Sequence, residues 1–244
     1  MLLSIVTVCY NSEKTIEKTI KSIVKQKNDS VEYIIIDGAS KDNTVGIVQK
    51  YLDEIDFFAS EKDAGISDAF NKGVARAKGD YIWLINSDDT LCDCVIDDVL
   101  KILGDKKDVH CLSMRVIRGE MVNVVYSDHL RLDEGMYVAH PATIVSKDLY
   151  SSIGVFNNKF KLAMDYDFLI RAKKWGASFS SHNNIVVDMN GGGVSDLYPF
   201  KAVFECFKSR RLNGYGFYQS YFFLFRYLLK RTIFFLKDSF HGGR

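Results

Sequence analysis

Two prolines in 244 residues leave no Pro-rich linker to divide the chain. An excess of charge of one sign is also missing. The chain has 32 Lys and Arg against 31 Asp and Glu, and the formal net charge of +1 gives no general attraction for nucleic acid. The five cysteines, Cys9, Cys92, Cys94, Cys111 and Cys206, are odd in number and share no repeating spacing. Cys92 and Cys94 have no matching Cys or His pair, which argues against a zinc site and for reduced thiols in a cytosolic protein. No internal repeat is present. The opening run, Met1-Leu2-Leu3-Ser4-Ile5-Val6-Thr7-Val8, is apolar but has neither a basic leader nor a small-residue cleavage site, so it reads as a first strand.

What is there is an alternation of two periodicities. Residues 3–8 are an apolar, β-branched run, and 31–36, 56–59 and 81–85 read as further short strands. Between and after them, residues 13–27, 44–52, 67–78 and 93–103 carry apolar positions at helical spacing, such as Ile16, Ile20 and Ile23. Strand and helix in turn, with short connections, predict an α/β fold built on a mainly parallel sheet. Beyond residue 108 the signal is less regular. Strands are expected over 110–116 and 121–126 as a hairpin about Gly119-Glu120, and again over 142–145 and 185–189. Helices are expected over 147–153 and 165–175.

Ligands of such sheets bind beyond the carboxyl ends of the strands. Polar residues collect there: Thr7, Tyr10 and Asn11 after the first strand, Asp37 and Ser40 after the second, Asp63 after the third, Asp88 and Asp89 after the fourth. The last pair stands in Asn86-Ser87-Asp88-Asp89, directly after the apolar Tyr81-Ile82-Trp83-Leu84-Ile85. Adjacent carboxylates repel each other and burial penalises both. A divalent cation that holds a diphosphate would offset that cost.

The ordered motifs are Val6-Thr7-Val8-Cys9-Tyr10-Asn11, Ile36-Asp37-Gly38-Ala39-Ser40-Lys41-Asp42-Asn43-Thr44, Glu61-Lys62-Asp63-Ala64-Gly65-Ile66-Ser67-Asp68-Ala69-Phe70-Asn71-Lys72-Gly73, and Asn86-Ser87-Asp88-Asp89. Together they resemble the family 2 glycosyltransferases of bacterial polysaccharide, O-antigen and capsule assembly, over roughly residues 1–195. The resemblance implies the GT-A fold, a Rossmann-like, mainly parallel sheet flanked by helices. Residues 1–107 would bind the nucleotide sugar and residues 108–200 the acceptor, with 201–244 as a helical tail.

The same resemblance assigns roles. Asp37 would read the nucleobase, its alternative being a turn residue; Thr7 and Tyr10 would touch the nucleoside. Asp63, Gly65, Asn71 and Lys72 would line the donor site, Gly65 by letting the backbone approach and Lys72 by neutralising diphosphate. Asp89 would bind Mn2+ or Mg2+ directly, with Asp88 near the ribose or sugar. Ser87 departs from a full DxD motif, which leaves more of the metal's coordination to diphosphate and water. In Ala163-Met164-Asp165-Tyr166-Asp167 the candidate base is Asp165, with Met164 where the family has Glu; helix capping is its alternative and Asp167 its rival. On a helix, residues two apart point about 200° from each other, so only one of the two faces the site. His140 would contact acceptor or diphosphate, and Gly192, within Gly191-Gly192-Gly193, would belong to a loop closing over the donor.

Residues 213–240 are rich in Phe and Tyr and are punctuated by Arg226, Lys230, Arg231 and Lys237. Such a helix suits a membrane surface, or packing on the domain or in a dimer. The expectation is a metal-dependent, inverting enzyme moving sugar from a nucleotide diphosphate sugar, a UDP-sugar foremost, to a glycan or polyprenyl-linked glycan. It would work in the cytoplasm, peripheral on the inner face of the plasma membrane. Another nucleotide-sugar or nucleotidyl transferase and a non-catalytic membrane-associated module are the alternatives. Cys9-Tyr10-Asn11-Ser12-Glu13 lacks the Gly-rich, basic loop that a nucleotidyltransferase would carry there. Oligomeric state is left open.

Overall fold

The computed structural model describes residues 2–191 and 197–241, with residues 230–241 as helical backbone alone. The chain folds into a single mixed sheet with helices on both faces. The elements in order are β1 (Leu3–Cys9), α1 (Ile16–Val24), β2 (Val31–Asp37), α2 (Thr44–Val48), β3 (Phe57–Ser60), α3 (Ile66–Arg76), β4 (Tyr81–Asn86), β5 (Thr90–Leu91), α4 (Ile96–Leu103), β6 (Val109–Arg118), β7 (Met121–Val125), β8 (Thr143–Ser146), α5 (Lys147–Ile153), α6 (Met164–Trp175), β9 (Phe179–Asn190), α7 (Pro199–Leu212) and α8 (Phe217–His241).

The strand order is β3-β2-β1-β4-β8-β6-β9-β5, with β7 added to β6. The first four strands are parallel, in registers that set Cys9 beside Asp37 and Val8 beside Asn86. The polar ends of β1, β2 and β4 are therefore level with one another. Every residue of β1 and β2 is buried, as expected of parallel strands covered on both faces. One core joins α1 and α4 to the face carrying Ile5, Tyr33 and Trp83. The other joins α3 and α6 to the face carrying Val6, Ile34 and Leu84. Gly73 brings α3 onto β1: a Cβ there would lie 2.3 Å from Val6 Cγ1.

The α/β architecture and the order of elements follow the sequence pattern, including the β6–β7 hairpin about Gly119. The differences are local. The helix that begins at Thr44 tightens to 3-10 geometry over Gln49–Glu54. β9 starts at Phe179 rather than at residue 185; its polar first half, with Ser180, Ser181 and His182, is held by pairing to β6. β5 is two residues long and pairs with β9. The tail is two helices, broken at Asn213-Gly214, where Gly214 has φ 73°.

Candidate active site

The loops after β1, β2 and β4 are knitted together by short side chains. Asn11 N–H donates to Ser40 Oγ (2.8 Å) and Lys41 N–H to Asn11 Oδ1 (2.8 Å). The Ser12 and Ser87 hydroxyls lie 2.7 Å apart, which ties the β1 loop to the β4 loop. Asn11 (φ 50°) and Ala39 (φ 61°) both hold left-handed backbone, a strain that clusters at functional sites.

Asp37 lies beneath this crevice rather than in it. It is fully buried, and both oxygens are used within the protein. Oδ2 accepts from Ser40 N–H (2.9 Å) and Ser60 Oγ (2.6 Å), and Oδ1 accepts from the Ser40 hydroxyl and the Cys9 thiol. These are the contacts of a turn-holding residue, the alternative named for it above. Thr7 is likewise buried and accepts from Tyr33 Oη (3.2 Å) inside the sheet. The carboxylate that does reach the crevice is Asp63. A Cβ built on Gly38 would sit 2.5 Å from Asp63 Oδ2 and 3.4 Å from the Tyr10 ring. Tyr10 is exposed and half-buried Asp63 lies beside it, with the Asp63 Oδ1 held by Gly65 N–H (2.8 Å).

Gly65, at φ 116°, opens α3. Asn71 does not face the crevice. It clamps the backbone of Phe156, donating to its carbonyl and accepting from its N–H at 2.9 Å each. Lys72 is committed to Glu61 (3.0 Å) and the Lys62 carbonyl (2.8 Å). The cation at the donor loop is instead Lys161, whose Nζ donates to the Ala64 carbonyl at 2.6 Å and lies 3.4 Å from where a Gly65 Cβ would be. Lys161 comes from the loop before α6, and nothing in its neighbourhood in sequence marks it.

At the end of β4, Asp89 is buried and Asp88 half-buried. Asp89 Oδ2 accepts from Asn86 Nδ2 (2.9 Å), while Asp89 Oδ1 and Asn86 Oδ1 are buried without a donor. Burial, reinforced by the Asp88 charge, pushes the Asp89 carboxyl up to about 7. Burial raises Asp88 as well. Two donor-less oxygens and a second carboxylate fit a divalent cation. Among the described residues no three acidic, His or Cys side chains gather as a complete metal cage. The rest of a coordination shell would come from diphosphate and water, the usual arrangement for Mg2+. Asn190, the last residue of β9, donates to the Asp88 carbonyl (2.7 Å). Gly192 follows in sequence and lies outside the described residues.

Asp165 and His140 share a cavity of about 20 Å³ whose walls include Leu84, Tyr150, Phe156 and Phe168. Leu84 precedes Asn86, the last residue of β4, by two residues, about 7 Å along the strand. Asp165 Oδ1 accepts from Tyr166 N–H (2.7 Å). Its apolar walls raise the Asp165 carboxyl, and His140 opposes that rise. Burial lowers His140, whose Nε2 has no partner. Asp167 points the other way. It is buried, ion-paired with Arg171 (3.0 Å), and accepts from Ser209 Oγ (2.7 Å) and Asn213 Nδ2 (3.1 Å). With its oxygens taken by α6 and α7, Asp167 is a packing residue and not a rival base.

The tail is half core and half surface. Phe223 of α8 is buried and stacks on Tyr166 at 6.0 Å, and α7 is buried through Val203, Glu205, Ser209 and Arg210. Phe200, Phe204, Tyr218, Phe222 and Phe225 are exposed. Among the described residues no helix is long and apolar enough to cross a membrane.

A mixed sheet with a parallel half, a knitted crevice at its carboxyl ends and a carboxylate pair at β4 together define a GT-A type of fold. The family model for glycosyl transferase family 2 matches residues 4–172, and the chain belongs to that family. An uncharacterized glycosyltransferase of Mycobacterium tuberculosis is 28% identical over 180 residues, 69% of this chain and 68% of its own. A PGL/p-HBAD biosynthesis glycosyltransferase of the same species is 25% identical over 204 residues, 80% of this chain and 79% of its own. Among solved structures, S. aureus TarS 1-349 in complex with UDP-GlcNAc superposes with a TM-score of 0.69 at 20% identity, covering 93% of this chain and 72% of that one. The mannosyltransferase PcManGT from Pyrobaculum calidifontis, in complex with GDP-Man and Mn2+, gives 0.67 at 15% identity over 85% of this chain and 62% of that one. These similarities extend the fold assignment beyond the matched family segment, into the tail.

Proposed function

We propose that this chain is an inverting glycosyltransferase that takes a nucleotide diphosphate sugar, a UDP-sugar foremost, as donor. The observation that carries the reading is the half-buried Asp165 carboxylate beside His140, in a cavity walled in part by Leu84 of β4, the strand that leads into the Asp88–Asp89 pair. Residues 1–107 would make the donor half, residues 108–200 the acceptor half, and 201–244 a helical tail.

Each side chain has a task in this reading. Asp63 and Tyr10 receive the nucleoside, with Gly38 leaving room between them. Lys161 and the N–H groups at the start of α3 face the diphosphate. Asp89, with Asp88, would hold a divalent cation, Mn2+ or Mg2+, which when bound offsets the charge of the departing diphosphate. Asp165 accepts the proton of the acceptor hydroxyl as its oxygen attacks the anomeric carbon from the face opposite the leaving group. Its raised affinity for protons brings it closer to the range where a base is effective. His140, kept neutral by burial, lines the same cavity without competing for the role. The UDP-GlcNAc of the TarS complex and the Mn2+ of the PcManGT complex support the donor class and the metal.

The acceptor in this reading is a glycan, lipid-linked, of bacterial surface polysaccharide such as O-antigen or capsule. The exposed rings of α7 and α8 suit the cytoplasmic surface of the membrane. The exposed charged residues of the two helices up to residue 229 are Lys201, Lys208, Arg211 and Arg226, whereas Glu205 is buried. Hydrolysis of UDP-, GDP- and dTDP-hexoses with Mn2+ tests the activity. Turnover of one nucleotide class is expected, and none with any of the three would contradict the reading.

A further inference from the structure

We infer that Glu205 of α7 is a positioning residue for Asp165, holding in place the backbone that leads into α6. The inference rests on the reading of Asp165 as acceptor base.

α6 begins without a cap of its own. Its N-cap position is Ala163, which has no side-chain oxygen for the first-turn N–H groups. Glu205, from another helix, instead holds the backbone N–H groups of the residues that lead into that first turn. Its Oε2 accepts from the N–H groups of Lys161 (2.9 Å), Leu162 (2.7 Å) and Ala163 (3.1 Å). Glu205 is only 8% exposed, and a buried carboxylate is tolerated where charged hydrogen bonds satisfy it. Its negative charge also faces the positive end of the α6 dipole.

The grip continues along the same stretch. Arg210 Nη1 donates to Tyr166 Oη (3.1 Å) and to the Asp133 carbonyl (2.9 Å), and Ser209 and Asn213 hold Asp167. Helix α7 thus holds residues 161–163 before Asp165 and residues 166 and 167 after it, while Asp165 faces the His140 cavity. The ionisable groups around Asp165 are His140 on one side and Glu205 and the Cys206 thiol on the other. The Glu205 charge adds to the burial that raises Asp165, and His140 opposes it.

The test uses the full chain and whichever of UDP-, GDP- and dTDP-hexose it hydrolyses fastest. Glu205→Gln keeps the side chain's size and an acceptor oxygen but removes the charge; Glu205→Asp keeps the charge on a shorter arm. Both are expected to lower kcat by roughly 10- to 100-fold at unchanged KM, the cost of a small misplacement of a reacting group. Glu205→Gln is further expected to move the acidic limb of the kcat–pH profile to lower pH, because a nearby negative charge has been taken from Asp165. Glu205→Asp leaves the limb in place. Wild-type kcat in both variants overturns the inference, as does an unmoved limb in Glu205→Gln. Loss of calorimetric UDP binding together with turnover also overturns it, since that marks a general structural role. Asp165→Asn separates the two layers. If it is inactive while the Glu205 variants are fully active, only the positioning role falls; if it retains wild-type kcat, the base assignment falls with it.

Discussion

Asp165→Asn is expected to lower kcat for sugar transfer or donor hydrolysis by about 10²- to 10⁴-fold, the range lost when a general base is removed. Donor affinity should be unchanged, because Asp165 is not among the residues assigned to nucleoside and diphosphate, and Lys161, the one of these that lies near α6, is held by the Ala64 carbonyl rather than by Asp165. Asn matches Asp in size and can keep the contact to Tyr166 N–H, so the start of α6 is preserved. The pH profile carries a second signature. Burial raises the Asp165 carboxyl above the ordinary carboxylate range. The base works only when deprotonated, so wild-type kcat falls on the acid side at a pH above that range. This limb disappears in the variant. Steady-state kinetics across pH, with donor binding followed by calorimetry, check both parts. Wild-type turnover in Asp165→Asn would move the chain toward a binding module that does no chemistry.

Asp89→Asn is expected to weaken Mn2+-dependent UDP binding by at least about tenfold, within the range seen when a metal site loses a supporting group. It should also make the metal-free protein more stable. In the folded chain Asp89 holds its proton up to about 7, while in the unfolded chain it ionises near the ordinary carboxylate value of 3.8. Between those values the folded state binds more protons. The Asp89 contribution to stability therefore declines as pH rises from about 4 to about 7, and its cost is complete above 7. A shift of that size sets an upper bound of roughly 4 kcal/mol. Asn removes the charge and its desolvation, so the variant should melt several degrees higher at pH 8 and match wild type near pH 4. Thermal melts at the two pH values, without metal, measure this. A variant less stable than wild type at pH 8 would show that Asn86 and Asp89 are there for packing.

The parallel half of the sheet was legible because apolar period and turn residues agree from β1 to β4. β5 was not, since two residues carry no period. The first half of β9 was missed because Ser180, Ser181 and His182 are held by pairing with β6 rather than by burial of apolar side chains. The carboxylates at the strand ends were all visible, but their directions were not. An Asp just after a strand, with a Gly close behind, looks the same whether it sits beside the crevice with one oxygen on Gly65, as Asp63 does, or is consumed by its own turn and the neighbouring strand, as Asp37 is by Ser40 and Ser60. The helical angle between Asp165 and Asp167 showed that they must diverge. Which of them turned inward to the His140 cavity depended on α7, a contact between distant parts of the chain. Lys161 and Glu205 have no local signature at all; the missing cap at Ala163 was the one available hint that another element must supply an acceptor.

A nucleotide diphosphate is expected to bind in the crevice at the carboxyl ends of β1–β4. A groove of about 500 Å³, lined by Lys27, Asp56 and Lys78 among others, lies at the opposite, amino end of the same strands and is the competing site. Amide hydrogen exchange of the full chain, with and without UDP and Mn2+, reads both ends at once. Slowed exchange is expected in residues 10–12, 38–41, 63–67 and 86–90, with the amino-end groove unchanged. Slowed exchange around Lys27, Asp56 and Lys78, with none at the carboxyl ends, would contradict it.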